Sequence, residues 1–346
     1  MTGFKVPFSR GVNFSKWFES RSVEDIKFDR ITEQDFAFVK SIGADVVRLP
    51  IAVHNFTGGA PEYAIDHRLI KYLDSAVDWA EKYDLYILLD NHSFHPVNPT
   101  DANIDKILIP VWEQLARHFK DRSSYVIYEI LNEPHHIPDE RWAEIQGMTI
   151  EAIRKIDQER LIIVGGTDYN SIGKLFSIPK YSDSKLIYTF HFYDPHIFTH
   201  QGATWGNPSL ASLKGVPFPI ERNRIPQVPA DLKGTWIEKA LENYESDAAL
   251  EKIFASLDKA GAFSKERGVG VFCGELGALM IQTAQADRIK WYNTVCGALD
   301  EKNIPWTSWD YFGSFGIFKT PNKGDPVSDV NIDVLKAMGF TPPTGN

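Results

Sequence analysis

The chain has 346 residues, enough for one large α/β barrel or for two ordinary domains. Its 37 Lys+Arg against 46 Asp+Glu give a formal net charge of −9, and 43% hydrophobic with 24% charged residues is the balance of a soluble globular protein, which excludes a disordered, collagen-like or disulfide-scaffold chain. An acidic chain without basic clusters offers phosphate backbones no counterion-releasing surface, so nucleic acid and acidic polysaccharides are poor partners.

Apolar, β-branched runs alternate with amphipathic stretches from one end to the other, the pattern of repeated β-then-α units around a parallel sheet. The first candidate strand is Gly11–Phe14, followed by a helix opening at Thr32 with Asp35 in capping position. Next come strand Ala44–Leu49 and a helix over Asp66–Tyr83, with Asp66 as its N-cap and Leu69, Leu73, Val77 and Ala80 on one face. Strands Leu85–His92 and Val126–Asn132 precede helices over Asp105–Phe119 and Glu140–Ile156. The unit after strand Leu161–Gly165 is weak. Strand Leu186–Tyr193 leads into about fifty residues, His196–Ser246, rich in Pro, Gly, Asn and Trp. A disordered insertion would read this way, although Trp205 and Trp236 are odd passengers in one. Helix Ala249–Lys265, strand Val269–Glu275, helix Ala284–Leu299 and strand Pro305–Tyr311 complete the series.

Eight such units over residues 1–346 argue for one closed (β/α)8 barrel, a TIM barrel forming a single domain with a long loop after its sixth strand. Neither G-x-G-x-x-G after a strand nor G-x-x-x-x-G-K-[ST] occurs, so nucleotide cofactors lose their best support. No run approaches the roughly 20 apolar residues of a membrane helix, and the start has no apolar signal-like region. A soluble monomer without a membrane partner is expected. It would be secreted or periplasmic with its signal peptide absent from this sequence, or else cytoplasmic.

In such a barrel the C-terminal strand ends share one bowl, so residues far apart in sequence are read together. Those ends carry Arg48, His92, Asn132-Glu133, His191 and Tyr193, Glu275, and Trp309. Glu133 and Glu275 come from the fourth and seventh strands and face each other across the bowl. Paired carboxyls over a common space are the machinery of glycoside hydrolysis. They could instead hold a divalent metal or be paired structurally to Arg48 and the histidines. Metal sites want more hard ligands, and neither H-E-x-x-H nor H-x-H is present. Glu129 lies deeper on its strand and reads as a buried support; Asp310 is likewise acidic and strand-borne.

In chain order, Arg48, His92, Asn132-Glu133-Pro134, His191-x-Tyr193, Glu275 and Trp309 resemble glycoside hydrolase family 5. The loop from Phe198 to Trp205 resembles one in bacterial endo-β-1,4-glucanases of that family. The resemblance implies a retaining endo-glycosidase acting on internal β-1,4 bonds of a neutral, cellulose-type glucan. Endo-β-1,4-mannanase, xyloglucanase or dual specificity is the alternative, because Ser93-Phe94 departs from the family pattern after His92. It further implies Glu133 as general acid/base and Glu275 as nucleophile, with Arg48 and Tyr193 donating to Glu275, and with the charge of Glu275 raising the pKa of Glu133. Asn132 would bind the sugar 2-hydroxyl, His92 and His191 would support the network, and Trp309 would form the sugar platform. His200, Trp205, Asn13 and, beside it, Trp17 are further candidate substrate contacts. No metal or organic cofactor is expected; a β-linked polysaccharide or oligosaccharide is the expected partner. A catalytically silent carbohydrate-binding barrel is the reading from another class.

Cys273 shares parity with Glu275 and is expected to face inward, whereas Cys296 falls on an outer helix, so both are expected to be free thiols. The sequons at Asn13 and Asn91 lie on strands lining the bowl, where a glycan would not fit, and the third, at Asn55, does not by itself indicate glycosylation.

Overall fold

The structure, a computed structural model, describes residues 5–94 and 98–343. Eight parallel strands close into a barrel in chain order. They are β1 (Arg10–Asn13), β2 (Val46–Ile51), β3 (Tyr86–Asn91), β4 (Val126–Glu129), β5 (Ile162–Gly165), β6 (Leu186–Phe192), β7 (Gly270–Leu276) and β8 (Trp306–Ser308). β8 returns to pair with β1, with Val12 opposite Ser308. The expected TIM barrel and its single domain are therefore observed, with strand limits mostly within one or two residues of those read from the sequence. β4 and β8 are the exceptions, stopping at Glu129 and Ser308 where longer strands were expected. The chain beyond β4 keeps its neighbours even so, since Ile130 and Asn132 donate to Ile163 and Asn91.

Alternation sorts each strand into two layers. Inside, Val6, Phe8, Val46, Leu88, Ile127, Ile163, Ile187 and Phe272 pack as a floor. Outside, residues such as Val47, Leu49, Ile87 and Leu89 meet the helices. Those helices begin with α1 (Glu33–Ser41), capped by the expected exchange between Thr32 and Asp35. In α2 (His67–Lys82) the Asp66 carboxylate accepts from Arg68 N, and Leu69, Leu73, Val77 and Ala80 are buried against the strands. α3 (Asp105–Phe119) and α4 (Asp139–Arg154) follow β3 and β4. Among the described residues no helix is long and apolar enough to cross a membrane.

After β5 a full helix is missing. One turn, α5 (Thr167–Asn170), and a 3-10 segment over Ile172–Ser177 replace it. Asp168, Tyr169 and Asn170 have φ of 55°, 59° and 54°, a costly left-handed run for side-chain-bearing residues. Hydrogen bonds hold it: Tyr169 N donates to Pro134 O, and Asn170 Nδ2 donates to Asn132 O. The strained turn thus grips both ends of Asn132-Glu133-Pro134.

The connection after β6 is ordered, not a disordered insertion. It contains α6 (His196–Thr199), α7 (Trp236–Glu242) and α8 (Tyr244–Asp247) around a small core of Phe198, Leu213, Phe218, Ile237 and Tyr244. Gln201 braces it, donating to Phe198 O and Val216 O and accepting from Val216 N. Arg224 pairs with Asp287 at the start of α10 (Gln285–Glu301), which follows β7, while α9 (Leu250–Arg267) leads into that strand. α11 (Ile332–Ala337) closes the chain against α10.

One expectation about β7 is overturned. Pairing with β6 shifts register between Phe190 and His191, and pairing with β8 shifts between Cys273 and Leu276. The extra residue breaks alternation, so Cys273 packs in the outer layer with Val271 while Glu275 still points inward. Both cysteines therefore lie in the outer layer, buried and free. Gly274 occupies the irregularity: a Cβ there would come 2.9 Å from Thr189 Oγ1 and 3.2 Å from His191 Nε2.

Candidate active site

The C-terminal strand ends surround a hollow of about 600 Å³, onto which Glu133, Glu275, Asn132, His92, Tyr193, His200, Trp205 and Trp309 all open. Beneath it lies the buried guanidinium of Arg48. Arg48 projects inward from β2, and its guanidinium donates from Nε and Nη2 to the two oxygens of Glu129 at 2.8 and 2.9 Å. Nη1 donates to Glu275 Oε1 at 2.8 Å and to Asn13 Oδ1 at 2.9 Å. Nη2 reaches Asn132 Oδ1 at 2.7 Å and lies 3.0 Å from Asp90 Oδ2. The planar fork explains the choice of arginine, since a point charge could not serve this many acceptors in fixed directions.

These contacts define how the upper residues stand. Glu275 accepts from Arg48 on one oxygen and from the Tyr193 hydroxyl on the other at 2.8 Å, so its carboxylate is fixed in orientation. Burial and the two glutamates hold the Tyr193 phenol well above its ordinary pKa, which keeps it a donor. Asn132 gives its carbonyl oxygen to Arg48, which leaves its Nδ2 at the cleft, 3.3 Å from His92 Nε2. Burial alone would depress the His92 pKa, but Asp90, 2.7 Å from Nδ1, outweighs it and with Glu19 and Glu275 lifts it to about 9. The His92 ring stacks on Trp309 with ring centroids 5.4 Å apart.

Glu133 differs from Glu275 in its surroundings. Its pKa is raised from 4.5 to about 7, chiefly by burial and against the opposing charges of His92 and Arg48, although 21% of its side chain still faces the cleft. Burial, and not the facing carboxylate as expected, is the principal cause. His191 is pushed down to about 4 by burial, with Arg48 and His92 adding and Glu275 opposing, and so is neutral. Its Nδ1 lies 2.7 Å from Glu133 Oε1, close enough for the two groups to share a proton. Oxygens of Glu133 and Glu275 and a ring nitrogen of His191 all lie within 4.8 Å of one another. This trio is compact enough for a metal ion, yet both Glu275 oxygens already accept from Arg48 and Tyr193, and His191 Nδ1 is engaged with Glu133.

Asn13 and Trp17, expected as substrate contacts, are corrected, and Arg48 and His191 support the network without facing the cleft. Arg48 and Asn13 are both 0% exposed. The Asn13 amide donates to Gly274 O and Ser308 O, each at 3.1 Å, so it braces the network from below. His191 is buried under Glu133. Trp17 is also withdrawn, packed among Phe18, Phe28 and Trp79. His200 does reach the cleft, neutral because burial and neighbouring His196 lower its pKa; exposed Trp205 stands at its edge. Sequence reasoning assigned no role to Asp90, Gly274 or Asn170. Asp90 shares the inward parity of β3 and could have been found that way. The bulge at Gly274 and the left-handed turn at Asn170 leave no periodic signal. Glu19, His54, Phe94 and Phe315 complete the rim from connecting segments.

The chain matches the family model Cellulase (glycosyl hydrolase family 5) over residues 4–314. Endoglucanase C of Acetivibrio thermocellus is 29% identical over 344 residues, which cover 95% of this chain and 98% of that one. Cellodextrinase A of Ruminococcus flavefaciens is 26% identical over 353 residues, covering 94% and 92%. Among solved structures, endoglucanase Cel5A from the hyperthermophilic Thermotoga maritima superposes with a TM-score of 0.78 at 25% identity, covering 95% of this chain and 96% of that one. With nearly the whole barrel matched, the protein belongs to glycoside hydrolase family 5.

Proposed function

We propose that the protein cleaves internal β-1,4-glucosidic bonds of a cellulose-type glucan with retention of anomeric configuration, as a monomer and without metal or organic cofactor. The observation that carries this reading is that an oxygen of Glu133 and an oxygen of Glu275 lie within 4.8 Å of each other. Retaining enzymes place their carboxyls about 5–5.5 Å apart, whereas inverting enzymes need about 6.5–9.5 Å to admit a water.

In the first step the proton on Glu133 passes to the glycosidic oxygen as the Glu275 carboxylate attacks the anomeric carbon, expelling the leaving chain and forming a glycosyl ester. Esterification removes the charge of Glu275. Glu133, now a carboxylate, then takes a proton from an incoming water whose oxygen attacks the anomeric carbon, and Glu275 leaves as carboxylate. The Asn132 Nδ2 donates to the sugar 2-hydroxyl oxygen, a bond that tightens as positive charge develops on the ring. Trp309, backed by His92, offers its face to the sugar. An open cleft and relatives named endoglucanases support an endo mode on glucan.

The test is reducing-end release from barley β-glucan, carboxymethylcellulose, xyloglucan and glucomannan side by side, with the first-formed anomer followed by NMR. Fastest cleavage of a β-1,4-glucan with β-anomer appearing first is expected. A faster glucomannan or xyloglucan reaction would overturn the substrate, and α-anomer appearing first would overturn the mechanism.

A further inference from the structure

The connection after β6 carries a second hollow on the far side of the wall it presents to the catalytic cleft. The hollow measures about 390 Å³, within the range of ligand sites, and Asp194, His196, Trp236, Asp247, Lys252 and Ser256 are among its lining. Trp236, the first residue of α7, is 47% exposed. It is not needed to anchor that helix, because Ile237 and Leu241 are its buried residues and Thr235 caps it, accepting from Ile237 N at 3.2 Å.

The two hollows are joined by rings. Trp205 and His200 line the cleft with centroids 6.3 Å apart, and His200 stacks on His196 at 4.1 Å and 8°. His196 in turn stands 5.8 Å from Trp236. A row of aromatic rings therefore links the cleft to the second hollow. There Lys252 pairs with Asp247 at 2.5 Å, setting a donor and an acceptor beside the indole. An exposed indole sharing a hollow with carboxylate, ammonium and hydroxyl groups matches a pyranose, whose C–H face stacks while its equatorial hydroxyls bond outward.

We infer that Trp236 and its hollow form a distal sugar-binding site, engaged by the same β-linked glucan chain that is cut between Glu133 and Glu275 once that chain is long enough to pass over His200 and His196. The inference rests on the glucanase reading above. It makes Trp236 a determinant of chain-length preference, remote from the chemistry.

The experiment compares kcat/KM of wild type, Trp236→Ala and Trp236→Phe on an aryl β-cellobioside, cellotetraose, cellohexaose and barley β-glucan. For Trp236→Ala, the ratio of kcat/KM on the longest substrates to that on the aryl cellobioside falls roughly tenfold through KM, the effect of losing about 1.4 kcal/mol of binding. Trp236→Phe, which keeps a ring, restores most of it. The same ratio in Trp236→Ala and wild type, or a loss equal on every substrate, overturns the distal site. Failure of the underlying reading looks different, since wild type would then cleave none of these β-1,4-glucans.

Discussion

Replacing Glu133 by glutamine should abolish hydrolysis and yet make the protein more stable in alkaline solution. The raised pKa means that the folded state holds the Glu133 proton more tightly than the unfolded chain does. Native stability from this group is thus fully present below about 4.5 and is lost as pH rises through about 7. The interval is about 2.5 pH units, worth about 3 kcal/mol at 1.36 kcal/mol per unit. Because 21% of the side chain is open to solvent, about 2 kcal/mol is the more realistic size. Glutamine carries no charge at any pH and escapes this loss. Urea melts of wild type and Glu133→Gln at pH 5 and pH 9 measure the effect directly. Near-equal stability is expected at pH 5, with the variant ahead by about 2–3 kcal/mol at pH 9. His92, whose stabilisation is present below 6.5 and lost as pH rises through about 9, contributes to both proteins and largely cancels in the difference. A stability gap that is the same at both pH values would refute the argument that burial holds the proton. The same proton sets the alkaline limb of kcat/KM in wild type, expected near pH 7.

Other outcomes follow from the buried layer. Arg48→Lys keeps the charge but not the fork that serves Glu129, Asn13, Asn132 and Glu275; urea melts should show a loss of about 3 kcal/mol, with kcat falling and KM nearly unchanged because position 48 never meets substrate. Gly274→Ala brings a methyl to 3.2 Å from His191 Nε2, and steady-state kinetics should show kcat reduced more than KM, with about 1–3 kcal/mol of stability lost. Dialysis against a chelator should leave activity intact, since both oxygens of Glu275 accept from Arg48 and Tyr193 and His191 Nδ1 is engaged with Glu133; loss of activity restored by a divalent ion would reject the acid–base assignment.

The barrel was legible because its strands and helices repeat a hydrophobic rhythm, and the site because inward polar residues interrupt that rhythm at the C-terminal ends. Arg48, Glu129 and Glu275 follow from this logic alone. Where the rhythm slips, the reading slips with it: an added residue in β7 sent Cys273 outward, and no composition announces such a bulge. Asn13 and Trp17 failed for another reason. Their neighbourhood was inferred correctly, but depth within the barrel depends on what packs above a residue, and sequence spacing carries little of that information. The β6 connection had a readable signal in Leu213, Val216, Phe218 and Tyr244, apolar residues that a solvated insertion would not retain.

That connection has a small core of its own and fastens to α10 through the pair of Arg224 with Asp287. On the proposed reading the bond-breaking groups are rooted in the barrel, while one flank of the groove is a segment with a small core of its own between two strands. Such a segment can be lengthened, trimmed or exchanged at its ends while the proton-transfer chemistry stays where it is, giving a single scaffold a direct route to new polysaccharide preferences.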